Sequence, residues 1–250
     1  VPGSSRAVLV TGASRGIGAA TARAFAALGD RLALNFAVSA AAAGAVLASL
    51  PGSGHVLAPA DLADPRAVEA MVEAAAAALG GIDVLVNNAG VFTPHPPGEA
   101  SYDEWQRAWS ETLAVNLVGA ANVTYCALRH MGEGGRIVNV GSRGAFRGEP
   151  DHPAYGASKA ALAAFGQSMA RALGPRRIAV TTVAPGFTDT DMAAEALAGE
   201  GRARRERESP LGRVASAEEV AAAIVYLASE PAELASGTVL DLNGASYLRL

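Results

Sequence analysis

The stretch TGASRGIG, residues 11–18, decides how this 250-residue chain is read. It follows a short apolar run, Ala7–Val10, and opens a helix-periodic segment that reaches Leu28, with Gly29 as a suitable helix C-cap. Gly12, Gly16 and Gly18 stand at G-x-x-x-G-x-G spacing, with Ser14, Arg15 and Ile17 between them. Glycines at a strand-to-helix turn let the backbone bend tightly and approach a pyrophosphate. The helix start adds free N–H donors and the positive end of the helix dipole. A turn that needs glycine for structure alone is the bland alternative, and the strand–turn–helix context weighs against it.

Outward from that turn, short apolar runs alternate with longer helical ones. Strands are expected at 32–36, 56–58, Val84–Asn87, 137–140, 179–184 and Val239–Leu242, and helices at Pro65–Leu79, 102–131, Pro153–Leu173 and 217–228. The alanine stretches 40–43 and 74–78 also read as helix, since alanine is the strongest helix former. Strand runs without polar alternation belong in parallel sheets covered on both faces. The pattern predicts an α/β fold: one doubly wound, Rossmann-type parallel sheet of about seven strands with helices on both faces. No linker or repeat divides the chain, so residues 6–250 are expected to form one catalytic domain behind a flexible arm at 1–5. The irregular stretch 187–210 contains the mixed-charge run GEGRARRERE, read either as a solvated face or as a substrate lid over the strand ends.

Bulk properties narrow the function. Half of the residues are hydrophobic and 18% are charged, enough for a substantial core. A net charge of −4 argues against nucleic-acid binding. One cysteine, Cys126, excludes an internal disulfide and fits a reducing compartment. No apolar run approaches the ~18 residues of a membrane span, so a soluble, cytoplasmic protein is expected. His55, His95, His130 and His152 lack metal-ligand spacing, and no metal site is expected. His152 borders either the substrate pocket or an ordinary loop. Trp105 and Trp109 read as core or subunit-interface packing.

The end of the second strand bears on the cofactor. An acidic residue there would bond the ribose hydroxyls of NAD and repel the 2′-phosphate of NADP. The chain instead has Asn35, Phe36, Ala37 and Ser39. Arg15 in the glycine turn suits a phosphate. NADP is favoured, with NAD as the alternative.

In order, the chain then presents Asp61-Leu62, NNAG at 87–90, Asn116 in VNLVG, Ser142 in NVGS, Tyr155 and Lys159 in YGASK, and Pro185-Gly186. This ordered set resembles the short-chain dehydrogenase/reductase family over about residues 6–244. The resemblance implies that Asp61 and the Leu62 backbone lie at the adenine, and that Asn87, Ala89 and Gly90 support the cofactor and central strand. It also implies that Pro185, Gly186, Thr188 and Thr190 lie beside the nicotinamide and its phosphate. Thr188 stands where the family usually has an aliphatic residue. The ending LNGASYLRL has Ala245 where the family usually has a second glycine.

Lys159 is the only lysine among 20 basic residues. It follows Tyr155 by one helical turn, so the two side chains share a face. A carbonyl reductase needs an acid to protonate the oxygen as hydride reaches the carbon, and free tyrosine, with a pKa of about 10, is a weak one. Lowering that pKa by roughly three units takes about 4 kcal/mol. A unit charge at ~4 Å supplies about that much at an effective dielectric near 20. Lys159 is therefore expected to lower the Tyr155 pKa. By resemblance Lys159 also bonds the nicotinamide ribose, Ser142 holds the substrate oxygen, and Asn116 anchors a water that links Lys159 to solvent.

VNLVG, APGF and SPLGR make the 3-oxoacyl-carrier-protein reductases the nearest-looking subgroup. That subgroup uses basic residues on two helices to dock its acidic carrier protein, and Arg129 and Arg171 stand in similar places. Arg143, Arg147, Glu149 and Asp151 make the segment before Tyr155 more charged than is usual there. The expected activity is NADPH-dependent reduction of a ketone or 3-oxoacyl thioester. The alternatives are an NAD-linked secondary alcohol dehydrogenase and, in another class, a cofactor-sensing regulator without turnover. The resemblance also implies a homodimer or homotetramer formed through the helices at 102–131 and 153–173 and the C-terminal segment.

Overall fold

The computed structural model describes residues 5–194 and 197–249. β1 (Ala7–Val10) is buried at every position and runs into α1 (Gly16–Ala27). The chain continues through β2 (Arg31–Phe36), α2 (Ala40–Ser49), β3 (Val56–Pro59), α3 (Pro65–Leu79) and β4 (Val84–Asn87). α4 (Tyr102–Leu113), a π-helical stretch Ala114–Gly119 and α5 (Ala120–Ala127) follow, then β5 (Arg136–Val140), α6 (Gly144–Arg147), α7 (Pro153–Leu173) and β6 (Ala179–Pro185). β7 (Thr188–Asp189), α8 (Glu200–Glu208), β8 (Ala215–Ser216), α9 (Ala217–Leu227) and β9 (Val239–Leu242) complete it.

Seven strands pair in the order β3-β2-β1-β4-β5-β6-β9, all parallel. The chain builds outward from β1 to β3, then returns to add β4 on the other side of β1. That reversal opens a crevice at the carboxyl ends of β1 and β4, where such sheets bind ligands. One core lies between the sheet and α3, α5 and α7, around Leu9, Val72, Leu85 and Ile137. The other joins the opposite face to α1 and α9, around Phe25, Leu34, Val86 and Ile224.

Two expectations change. The helix expected over 102–131 ends at Ala127 and contains a π-helical stretch around the buried Asn116. A single-turn insertion of this kind is frequent at functional sites. The stretch 187–210 is not wholly irregular: residues Glu200–Glu208 form α8, steadied along its length by Arg202–Glu206 and Arg205–Glu208 pairs at 3.8 and 2.6 Å. The arm expected at 1–5 lies, apart from Ser5, outside the described residues, as do residues 195 and 196 of the expected lid. Among the described residues no helix is long and apolar enough to cross a membrane.

Candidate active site

At the end of β1 the chain must reverse into α1 within a few residues. Gly12 and Gly16 take left-handed φ values of +63° and +53° to do so. A Cβ on Gly12 would stand 2.8 Å from the Ala89 Cα, and one on Gly18 would collide with the Gly12 carbonyl and the Asn88 amide. The turn is thus packed flush against the end of β4. Thr11 and Asn88 make the junction: Asn88 N and Ala89 N donate to Thr11 Oγ1 at 2.9 and 3.0 Å. Asn88 Nδ2 donates to the Thr11 and Gly12 carbonyls at 2.9 and 3.1 Å. Both residues escape a sequence reading centred on glycines, although Thr11 opens TGASRGIG and Asn88 lies within NNAG; a polar residue directly before Gly12 is the available signal.

The start of α1 is open. Arg15, its N-cap, makes no side-chain cap bond and is exposed, and the first turn holds no acidic residue. Across the crevice, Thr190 Cγ2 lies 3.3 Å from where a Gly16 Cβ would be. Pro185 and Gly186 lead the chain out of β6 toward Thr190, with Thr188 buried and donating to Gly186 O at 3.3 Å. At the end of β3, Asp61 is exposed and accepts the Ala63 N–H at 2.9 Å, above the buried Leu62.

Two expected cofactor residues lie behind the crevice. Asn35 is 2% exposed; its Oδ1 accepts the Gly12 N–H at 3.2 Å, and its Nδ2 donates to Ala58 O and Ala60 O at 3.0 and 3.2 Å. That amide supports the glycine turn from behind. Asn87 is likewise buried and donates to Thr124 Oγ1 and Asn139 Oδ1, both at 3.0 Å.

α7 carries Tyr155 and Lys159 beside the ends of β4 and β5. Lys159, 3% exposed, donates Nζ to Val140 O at 2.8 Å, and Nζ lies 5.7 Å from the centre of the Tyr155 ring. Ser142, just past β5, accepts the Gly144 N–H at 3.0 Å and hydrogen-bonds with Tyr155. Asn116 Oδ1 accepts the Val91 N–H at 2.8 Å, while its Nδ2 donates to Val91 O and Ser158 Oγ at 3.0 and 3.1 Å. The side chain expected to anchor a water is thereby committed as a clamp between the β4 end and α7. A Cβ on Gly90 would stand 3.3 Å from Asn116 Oδ1 and 3.5 Å from Lys159 Nζ, so glycine keeps the backbone close to the lysine.

The electrostatics correct one expectation. Burial pushes Tyr155 up to about 12; the Ser142 hydrogen bond opposes the rise and the Glu149 carboxylate adds to it. Burial pushes Lys159 down to about 8. The protein's own groups therefore do not lower the Tyr155 pKa. Both charged forms lose hydration, and the ammonium is directed at Val140 O.

Ion pairs surround the loop after Ser142. Arg143, 3% exposed, donates to Glu208 of α8 at 2.9 Å and to Ser246 Oγ at 2.6 Å. Arg147 and Arg205 also meet Glu208, at 3.4 and 2.6 Å, and Arg205 lies over the Phe187 ring at 4.2 Å. By contrast, Arg129 is held by Glu69 and Glu73 at 3.5 and 3.3 Å. Among the described residues no group of three or more His, Cys, Asp or Glu is placed to hold a metal ion.

A dinucleotide requires close backbone approach, unspent donors and room beside the lysine. Gly12, Gly16 and Gly18 meet the first need, the open α1 start the second and Gly90 the third.

A family model described as Enoyl-(Acyl carrier protein) reductase matches residues 12–244. The chain is 36% identical to the 3-oxoacyl-[acyl-carrier-protein] reductase FabG of Vibrio cholerae over 97% of this chain and 98% of the relative. It is 37% identical to a cis-4-hydroxycyclohexanecarboxylate dehydrogenase of Sinomonas cyclohexanicum over 96% of this chain and 95% of the relative. Among solved structures, a short chain dehydrogenase from Burkholderia cenocepacia in complex with NADP aligns with a TM-score of 0.89 and 38% identity, covering 96% of this chain and 97% of that one.

Proposed function

This chain belongs to the short-chain dehydrogenase/reductase family, and from that premise we propose an NADP(H)-dependent reductase that converts a ketone or 3-oxoacyl thioester to a secondary alcohol. The observation that carries the reading is the grouping of Tyr155, Lys159 and Ser142 at the ends of β4 and β5, across the crevice from the open start of α1. The FabG relative supports the direction of reduction, with protonated Tyr155 as the acid at the substrate oxygen.

The residues divide the work. The α1 start and the glycine turn take the pyrophosphate, Arg15 takes the 2′-phosphate, and Asp61 takes the adenine edge. Gly186, Thr188 and Thr190 bound the nicotinamide end. The bound cofactor supplies the hydride. Ser142 holds the substrate oxygen by hydrogen bond, and Tyr155 gives that oxygen its proton. Lys159, charged below about 8, passes a proton to the phenolate left behind and is then reprotonated from solvent. Asn116 keeps α7 in register with the β4 end.

The segment 187–210 acts as a substrate lid, with Glu208 fastening α8 to Arg143 and Arg147 beside Ser142. Subunits associate as a homodimer or homotetramer; the exposed Tyr125 on α5 and Leu248 in the C-terminal segment support such a contact. Arg129, occupied by two carboxylates, offers little to an acidic carrier protein.

The test is a panel of ketones and 3-oxoacyl thioesters assayed with NADPH and NADH, alongside Tyr155→Phe. The wild type should oxidise NADPH in preference to NADH, and Tyr155→Phe should lose about 10²–10⁴-fold in kcat. Cofactor binding without turnover on any carbonyl would sink the reductase reading. A second reading is NAD-linked oxidation of a secondary alcohol; the Sinomonas relative supports a cyclic hydroxy compound as its substrate, and a preference for NAD and alcohol would select it.

A further inference from the structure

His95 takes no part in the chemistry above, yet it is 2% exposed and both of its ring nitrogens are engaged. Nδ1 stands 2.8 Å from Thr93 O, and Nε2 lies 3.1 Å from the Ala154 backbone nitrogen. A carbonyl offers only lone pairs and a backbone amide only its proton. Nδ1 must therefore carry the hydrogen and Nε2 the lone pair, which defines a single neutral tautomer. The His95 backbone N–H donates to Asp151 O at 2.8 Å, and the ring meets Trp105 edge-on at 5.5 Å.

This tie lands where the local sequence supplies nothing. α7 begins at Pro153, which has no N–H, and its N-cap His152 makes no side-chain cap bond. The next amide, that of Ala154, is buried and would be one of the orphan donors of a helix start. His95, 59 residues earlier, accepts it. Ala154 directly precedes Tyr155. One turn deeper, Asn116 makes a second tie by joining Val91 to Ser158. The two ties bracket Tyr155 and pin the segment leaving β4 against the start of α7. Between them sits Phe92, stacked on His152 at 3.6 Å and edge-on to Tyr155 at 4.7 Å.

We infer that His95 is a positioning residue: its neutral ring caps the helix of Tyr155 from the cofactor-side loop and so fixes the proton donor relative to the nicotinamide site. The inference rests on the reductase reading for what Tyr155 donates to. Misplacing a reacting group by about 1 Å costs on the order of 100-fold in rate, so a lost tie of this kind acts on kcat and not on cofactor affinity.

Two variants separate positioning from packing. His95→Gln keeps an acceptor near the Nε2 position, whereas His95→Leu fills similar space without one, and both lose the ring contact with Trp105. His95→Leu should lose about tenfold or more in kcat with NADPH affinity nearly unchanged, and His95→Gln should recover most of that loss. Equal losses in the two variants, or an unchanged kcat in His95→Leu, would overturn the inference. Two spectra decide it without turnover. ¹⁵N NMR of the wild type should find His95 protonated at Nδ1 and bare at Nε2, and the opposite tautomer or a doubly protonated ring would overturn the assignment. The ¹³Cζ resonance of Tyr155 should move in His95→Leu and stay in His95→Gln. If the wild type reduces no carbonyl, the reductase reading fails, and these spectra still test the tie from His95 to α7 on their own.

Discussion

The first turn of α9 contains Glu218 and Glu219, and Ser216 and Glu219 close a reciprocal capping box there. The first turn of α1 contains Gly16, Ile17 and Gly18, with no acid and no side-chain cap. Both helices pack on the same face of the sheet and against each other. Their starts nevertheless meet opposite demands. α9 satisfies its own orphan amides and places carboxylates at the positive end of its dipole, which stabilises it without help. α4 does the same with Ser101 and Glu104. α1 leaves its donors unspent beside a glycine turn that brings backbone close, and α7 takes its cap from a distant histidine. α3, α4 and α9 are closed locally by their own caps, whereas the two helices that carry the proposed chemistry are completed from outside.

The largest effect should come from closing the α1 start. Gly18→Ala forces a Cβ against the Gly12 carbonyl and Asn88, the junction that shapes the turn. NADPH affinity should fall about 100-fold or more, since a displaced turn loses several charge-assisted hydrogen bonds together. Calorimetry reads this directly.

α7 offers the next test. Lys159 is pushed down to about 8, so its charge is present below that pH and lost above it. Turnover should hold through neutrality and fall as pH rises through about 8. The unfolded chain keeps this proton up to about 10.5, so it binds more protons than the fold between 8 and 10.5, and Lys159 destabilises less as pH rises through that window. Because the chain has one lysine, ¹³Cε-lysine labelling gives a single side-chain resonance. Its midpoint should lie near 8, and an ordinary midpoint near 10.5 would remove the explanation for the pH profile.

Much of this comparison is legible in the sequence, though unevenly. β1, β4 and β9 coincide with apolar runs bounded by polar or glycine residues, and Tyr155, Lys159 and Ser142 follow from spacing and order. The glycine turn announces itself. The π-helical stretch does not, because the composition of VNLVG does not separate a π turn from an α turn and the tie from Asn116 to Val91 and Ser158 is made only in the fold. α8 is also hidden: its charged residues look like a solvated loop until their pairing along the helix is seen. The direction of the Tyr155 shift lies beyond a pairwise charge argument, since spacing along a helix says nothing of how deeply both groups are buried or where the ammonium points. His95 is invisible for a similar reason, its partner being a backbone amide 59 residues away.

Smaller effects sharpen the other side of the comparison. Ser216→Ala opens a structural cap and should cost about 1 kcal/mol of stability, seen as a modest drop in Tm, with cofactor affinity and kcat unchanged. An effect on turnover would mean that α9 is not merely a support. Smallest of all, Ala245 occupies left-handed backbone at φ +59°, where the family usually has glycine. Ala245→Gly should stabilise by at most about 1 kcal/mol, relief of strain being partly offset by chain entropy. Thermal unfolding measures both.

The most direct measurement is isothermal titration of NADPH into wild-type protein, Gly18→Ala and Ser216→Ala side by side. The wild type and Ser216→Ala should bind one NADPH per chain with equal affinity, and Gly18→Ala should bind about 100-fold more weakly or not at all. Unchanged affinity in Gly18→Ala would contradict the claim that the open start of α1 is where the cofactor is held.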